Sequence, residues 1–223
     1  MGKIKFILDF LTDLQQNNNR EWYHANKAGY KEAQEMFLDE VQVIIDRLQP
    51  HDPSLLGLTA SEAAFRIYRD VRFSKDKTPY KTHFGAFMAQ GGRKSDRGGY
   101  YIHVSNDDPF LAAGVWSPPK EALRAIRQEI VFRPAEINAI IAEKEKLGYS
   151  MYEEDKLKRG PKGFPDEGPF TELLKYKHIL LSRNLYTQEL LTENFADKIS
   201  EHFIHLVPLN NYLNTALDFT GNE

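Results

Sequence analysis

Apolar residues at Phe6, Ile7, Phe10, Leu11 and Leu14 recur at helical spacing and predict an amphipathic helix over Ile4 to Gln16. Asn17, Asn18 and Asn19 break it. Asn18 with Glu21 three residues on has the spacing of a capping box and opens a short helix at Arg20 to Asn26. Tyr30, Ala33, Phe37, Val41, Ile44, Ile45 and Leu48 then mark a long helix, roughly Lys27 to Gln49, ended by Pro50 and Pro53. The period changes at residue 63. Ala63 to Phe73, Tyr80 to Gln90, Gly99 to Ser105 and Phe110 to Trp116 are four strand candidates. Gly91-Gly92 and Gly98-Gly99 bracket the polar hairpin tip RKSDR, and Asn106 to Pro109 is a second turn.

Helical spacing returns after Pro118-Pro119, with Leu123, Ile126 and Ile130 on one side. Pro134 opens a further helix carrying Ile137, Ile140, Ile141 and Leu147, with Gly148 as its C-cap. Tyr149 to Pro169 is rich in Gly, Pro and charge and reads as a long surface loop. Phe170 to Tyr176 reads as a short helix and His178 to Ser182 as a fifth strand. Leu190, Leu191, Phe195, Ile199, Phe203 and Leu206 form a last helical stripe, which Pro208 restarts through Leu217. These elements predict an α+β fold, with an antiparallel-dominated sheet of about five strands packed against N-terminal and C-terminal helices. One domain is expected over residues 1–223: a helical part to residue 60, the sheet over 61–117, and a mainly helical remainder with one returning strand.

Composition narrows the chemistry. The chain has no cysteine, so disulfides, thiol nucleophiles and Cys-based metal sites are excluded. No apolar run reaches the length of a membrane span, and the N-terminus makes a poor signal peptide; a cytoplasmic location is expected. A net charge of −3 and a pI near 6.2 argue against wholesale coating of nucleic acid. Against that background, Phe65 to Thr82 stands out. FRIYRDVRFSKDKTPYKT carries Arg66, Arg69, Arg72, Lys75, Lys77 and Lys81 against only Asp70 and Asp76, a net charge of +4 on 18 residues.

Within that run Phe65, Ile67, Val71 and Phe73 fall on one strand face, and Arg66, Tyr68, Asp70 and Arg72 on the other. Arg69 interrupts the apolar face and needs an anionic or carbonyl partner. Ser74 to Pro79 reads as a loop. Two readings stand side by side. Arg66, Arg69, Arg72, Lys75, Lys77, Tyr80 and Lys81 form a pocket for a phosphate- or carboxylate-bearing molecule. Alternatively, the charges form an internal network with Asp70, Asp76 and acids from elsewhere. His83, His103, Tyr68 and Asp70 are the candidates for moving a proton, should an anionic substrate be turned over there. A nucleic-acid surface, with Tyr68, Tyr80 and Tyr100 stacking on bases, is a third possibility.

Other motifs fail on context. Ser74-Lys75-Asp76-Lys77 matches Ser-x-x-Lys but lies in a loop with no partner motif. His202 and His205 are three apart, not four, so they do not make a zinc helix. No metal or cofactor site is expected.

The run FRIYRDVRFSKDKTPYKT, with NNNREWYHANK upstream (Asn17 to Lys27) and GGYYIHV downstream (Gly98 to Val104), resembles an uncharacterised, mainly bacterial family known as domain of unknown function 2461. The likeness extends over nearly the whole chain. It implies a single domain and supplies no catalytic residue, because none is assigned in that family.

Overall fold

The computed structural model describes residues 2–219. Helix α1 spans Lys3–Gln16, α2 Arg20–Ala25, α3 Lys27–Leu48 and the short α4 Ala60–Ala63. Three strands follow: β1 His83–Met88, β2 Gly99–Ser105 and β3 Phe110–Val115. Then come α5 Lys120–Phe132, α6 Pro134–Glu145, β4 Ser150–Met151, α7 Thr171–Leu174, β5 Ile179–Asn184, α8 Thr187–Leu190, α9 Phe195–Ile204 and α10 Val207–Asp218. The fold is α+β, and the five strands form one antiparallel sheet in the order β1-β2-β3-β5-β4.

The chain divides into two compact units. The first holds residues up to Arg93 with Tyr101–Leu111 and Asn184–His202; the second holds Lys94–Tyr100, Ala112–Arg183 and Phe203 onward. In the first, the apolar stripe of α3 explains the packing. Tyr30 and Phe37 turn toward β1 and meet Phe84 at ring separations of 6.2 and 5.3 Å. Ile7, Leu11 and Leu14 of α1, and Ala33, Ile44, Ile45 and Leu48 of α3, are fully buried in the same core. Alternation along β1 and β2 decides the faces. Phe84, Ala86, Met88, Tyr100, Ile102 and Val104 are buried at alternate positions, which leaves His83, Gly85, Tyr101 and His103 for the other face.

In the second unit, α5, α6 and α10 pack together. Arg133, at the α5–α6 junction, bonds Glu129 and Glu136 and lies 5.0 Å from the centre of the Tyr212 ring. Pro134 at N1 fits the helix start, where a missing N–H costs nothing. Strands β4 and β5 pair with Ser150 opposite Ser182 and Met151 opposite Leu181.

The expected helices over residues 4–16 and 27–49 form within a residue or two. The strand expected over Ala63 to Phe73 does not form. Ala60–Ala63 is instead a helical turn in which Glu62 reaches back to Thr59. Residues beyond it touch β1 and its lead-in only through isolated bridges, Ala64 to Ala86 and Tyr68 to Tyr80. The reason lies in two short side chains. Asp70 Oδ1 accepts the N–H of Arg72 at 3.2 Å, and Asp76 Oδ1 accepts the N–H of Thr78 at 2.9 Å. Such turns give the backbone partners inside the loop and end the ladder. The capping residue of α2 is also shifted. Asn19, not Asn18, accepts the Trp22 N–H, at 2.9 Å. The expected long loop after Tyr149 contains β4, two residues too short to leave a periodic signature.

One backbone contact is tight enough to test. Gly114 in β3 has φ +130, and a Cβ there would lie 2.2 Å from the Ile179 carbonyl oxygen. Gly114→Ala is expected to cost about 3 kcal/mol or more, since strain and backbone overlap add. Gly57→Ala, at φ +80 with open space around it, is expected to cost only about 1–2 kcal/mol. Urea denaturation of both variants checks the order.

Candidate functional site

The segment carrying the basic run is tied down at Tyr80. Asn18 Nδ2 donates to the Tyr80 carbonyl at 2.9 Å, and the Tyr80 N–H donates to Asn18 Oδ1 at 3.1 Å. One amide side chain thus gives this residue both bonds a neighbouring strand would give. The Tyr80 ring stacks on Tyr23 at 4.1 Å, and Tyr68 meets Tyr23 edge-on at 5.8 Å. Burial, and then a hydrogen bond with Tyr68, push the Tyr23 phenol well above its ordinary range.

From this anchor the two limbs run antiparallel. Arg69 N–H donates to the Pro79 carbonyl at 3.0 Å, Lys81 N–H to Ile67 at 2.8 Å and Phe65 N–H to Gly85 at 2.9 Å. Between the bridges the limb from Tyr80 to Ala86 is two residues longer than the limb from Ala64 to Tyr68. The extra residues form a bulge that leads into β1.

The six predicted cations then separate into distinct roles. Arg72 forms a two-pronged pair with Asp70, at 2.9 and 2.6 Å, and both groups are exposed. Hydrogen bonds from Arg72 hold the Asp70 carboxyl down at about 2. Arg69 bonds the Asp76 carboxylate and the Thr78 hydroxyl. The Thr78 N–H, with Arg69 beside it, holds Asp76 at about 2 as well. Lys77 Nζ donates to the Val71 carbonyl at 2.9 Å. Arg69, Arg72 and Lys77 are therefore engaged within the loop itself, and Asp70 and Asp76 serve as their counter-ions. Lys75 is exposed and, among the described residues, unpaired.

Arg66 and Lys81 are different. Among the described residues neither forms an ion pair, although Arg66 is close enough to help lower the Asp70 pKa. Lys81 is half-buried, with Nζ 5.3 Å from the centre of the Phe65 ring. Burial lowers its pKa, and the nearby Arg66 charge lowers it further. Two cations thus sit together where one is already short of water.

Next to them lies a pair of imidazoles. The His83 and His103 rings are 4.1 Å apart, and His103 stacks on Phe110 at 4.8 Å. His103 is fixed on both sides: the Tyr101 hydroxyl is 3.1 Å from Nδ1, and Asp108 Oδ1 lies 3.6 Å from Nε2. Asp108 is in turn held by the Ser105 hydroxyl at 2.9 Å. Gly85 makes room for this arrangement, since a Cβ there would lie 2.6 Å from the Tyr101 hydroxyl. His83 has no hydrogen bond to its ring nitrogens among the described residues. Burial, His103 and Lys81 together push it down to about 4. Burial lowers His103 too, against the pull of Asp108. Both imidazoles are neutral at pH 7, and His83 keeps a free lone pair.

Of the proton-transfer candidates, His83 and His103 are brought together beside Lys81. Tyr68 belongs to the tyrosine stack, and Asp70 is occupied by Arg72. Tyr80 and Tyr100 are buried, so neither offers a face for a base to stack on. Tyr101, Ser105 and Asp108 escaped the reading of the sequence, although the alternation of β2 places Tyr101, His103 and Ser105 on one face. Among the described residues no group of three or more His, Asp or Glu is arranged to hold a metal ion. No described helix is long and apolar enough to cross a membrane. The second unit has an open groove of about 670 Å³ beside β4, whose lining includes Ile141, Met151, Leu173, Tyr176, Glu145 and Glu172.

Residues 6–212 match the family described as "Conserved hypothetical protein (DUF2461)". No curated protein and no solved structure matches.

The depressed histidines fix the sign of a pH effect. The unfolded chain binds protons at these sites below about 6.5, while the folded chain refuses them down to about 4 at His83. Their contribution to stability is complete above pH 6.5 and is lost as pH falls toward 4. Denaturation midpoints are expected to drop across that window. The His83→Gln, His103→Gln double variant is expected to show a flatter profile there.

Proposed function

The chain belongs to the DUF2461 family, and we propose that it binds a small molecule bearing a phosphate or carboxylate group, with Arg66 and Lys81 as the anchoring cations. The observation that carries this reading is the adjacency of those two charges, neither of which forms an ion pair among the described residues. Arg69 and Arg72 are each paired with a carboxylate of their own loop, whereas Arg66 acts on Asp70 only through its field and Lys81 on no carboxylate. Lys81 is half-buried and Arg66 exposed; the two like charges repel, and an anion placed between them relieves that repulsion. The guanidinium supplies a planar fork and the ammonium a mobile donor, a combination suited to phosphate or carboxylate oxygens. The neutral imidazole of His83 offers a further donor at the same place, and Phe65 and Phe110 form apolar walls.

A second reading grows from His83 alone. Its unbonded ring nitrogen lies beside the cations, where a base would reach a proton on a bound anionic substrate, with Arg66 and Lys81 stabilising the charge that develops. Binding and turnover then separate by mutation: His83→Gln keeps the anchor and removes the base.

Calorimetric titration with inorganic phosphate and with citrate tests the proposal. Saturable binding of one of these anions is expected, weakened about tenfold or more by Arg66→Ala or Lys81→Ala, in line with loss of a charge-assisted hydrogen bond. Lys75→Ala removes an equal charge from the same loop and is expected to change little. Equal losses in all three variants would mean a diffuse electrostatic attraction and would defeat the proposal.

A further inference from the structure

A second group of side chains lies wholly in the second unit and was not singled out by the sequence. Trp116 immediately follows β3, Tyr152 immediately follows β4, and His178 immediately precedes β5. Strand pairing brings these ends together, with the Tyr152 N–H donating to the Leu180 carbonyl at 3.1 Å. The Trp116 and His178 rings stack at 4.2 Å and 14°. Tyr152 stands nearly perpendicular to both, 5.1 Å from Trp116 and 5.6 Å from His178. Because it is almost equidistant from the two stacked rings, Tyr152 flanks the stack. It does not cap Trp116, which remains 57% exposed.

The support beneath this tryptophan is specific. His178 is buried, and its Nδ1 accepts the Ser117 N–H at 2.9 Å. That bond fixes Nε2 as the protonated nitrogen, and Asp155 Oδ2 lies 3.9 Å from it. Ser117 and Asp155, which meet the two ring nitrogens, both have positive φ, at 47 and 62. Among the described non-glycine residues they are the only two in that region. Backbone of this kind costs energy and persists where the surroundings demand it. Here it holds a buried histidine under an indole whose outer side is left to solvent, an arrangement that core packing does not require.

The charged groups set against the Tyr152 and His178 rings are carboxylates. The Tyr152 hydroxyl bonds the Glu154 carboxylate, and that bond, with Asp155 near by, pushes the phenol up to about 12. Lys177, 3.9 Å from Asp155, is the cation nearest to it. We infer that the exposed side of Trp116, flanked by Tyr152 and the carboxylates of Glu154 and Asp155, is a binding platform for a small organic cation of the quaternary ammonium class. Indole presents the most negative face of the aromatic side chains, and a methylated ammonium is weakly hydrated, so little is lost on leaving water. The carboxylates add attraction without a bond geometry that such a cation lacks the donors to meet.

Trp22 and Trp116 are the chain's two tryptophans, so Trp22→Phe leaves Trp116 as the sole reporter. Titration of that protein at constant ionic strength with choline chloride is expected to give a saturable change in indole fluorescence. The neutral isostere 3,3-dimethylbutan-1-ol and methyl glucoside are expected to give none. Asp155→Asn and Glu154→Gln, both at exposed positions, are expected to weaken choline about fivefold each in the same background. Calorimetry on Trp116→Leu, with its fold checked by circular dichroism, is expected to show no choline binding. An equal response to the neutral isostere or the sugar would overturn the assignment. So would choline binding that survives Trp116→Leu or is indifferent to both carboxylate variants, or the absence of any saturable response.

Discussion

The amide of Asn18 does the work of a missing strand. It closes both backbone bonds of Tyr80, and the Tyr23 ring stacked at 4.1 Å fixes the side chain above them. The residues that directly follow take their position from this point. Lys81 is the next residue, and β1 begins two residues later with His83. Without the clamp, the segment from Ala64 to Thr82 would hang on isolated bridges and its own turns. With it, a largely irregular segment is held against the sheet at a fixed register, and the bulge before β1 can set Lys81 next to the imidazoles.

Charge within that segment is sorted by distance along the chain. Asp70 takes the arginine two residues on, and Asp76 takes Arg69 across the turn. These pairs are exposed and contribute little to stability in water. Their larger effect is on shape, because the same carboxylates accept backbone N–H groups and so stop the strand. The two acids of the run are spent in this way, and Arg66 and Lys81 are left over. An acidic protein could readily have supplied a third carboxylate. Asp70 feels the Arg66 charge but bonds Arg72, and Asp108 lies with His103, so neither member of the pair has an ion-pair partner of its own among the described residues.

The helices were legible because each carries an apolar stripe with a period near 3.6, as Tyr30 to Leu48 does. Strands β2 and β3 were legible because Gly and Pro punctuate them. The segment over Ala63 to Phe73 misled because its alternation is that of a strand, while the Asp70 and Asp76 turns act locally and outweigh it. The candidate site was legible as a charged stretch, but not as a geometry. Nothing in the order of residues says that Arg72 is spoken for and Arg66 is not; that depends on side-chain reach after folding. Tyr101 could have been found by extending the face of His103 two residues back along β2. Asp108 belongs to a turn, where the Ser105 hydroxyl holds its carboxylate beside the His103 ring. The platform at Trp116 depends on three strand ends that adjoin only in the folded sheet, and β4 is too short to announce itself.

The central claim is that Lys81 carries a positive charge set against Arg66 with no carboxylate to balance it. An NMR titration of the Lys81 side chain reads this directly. The account predicts a pKa below that of an ordinary lysine, because burial and the guanidinium both disfavour the ammonium. It also predicts that Arg66→Ala, or saturation with a bound anion, moves that pKa upward. A Lys81 that titrates like a free lysine, and is unmoved by either change, would contradict it.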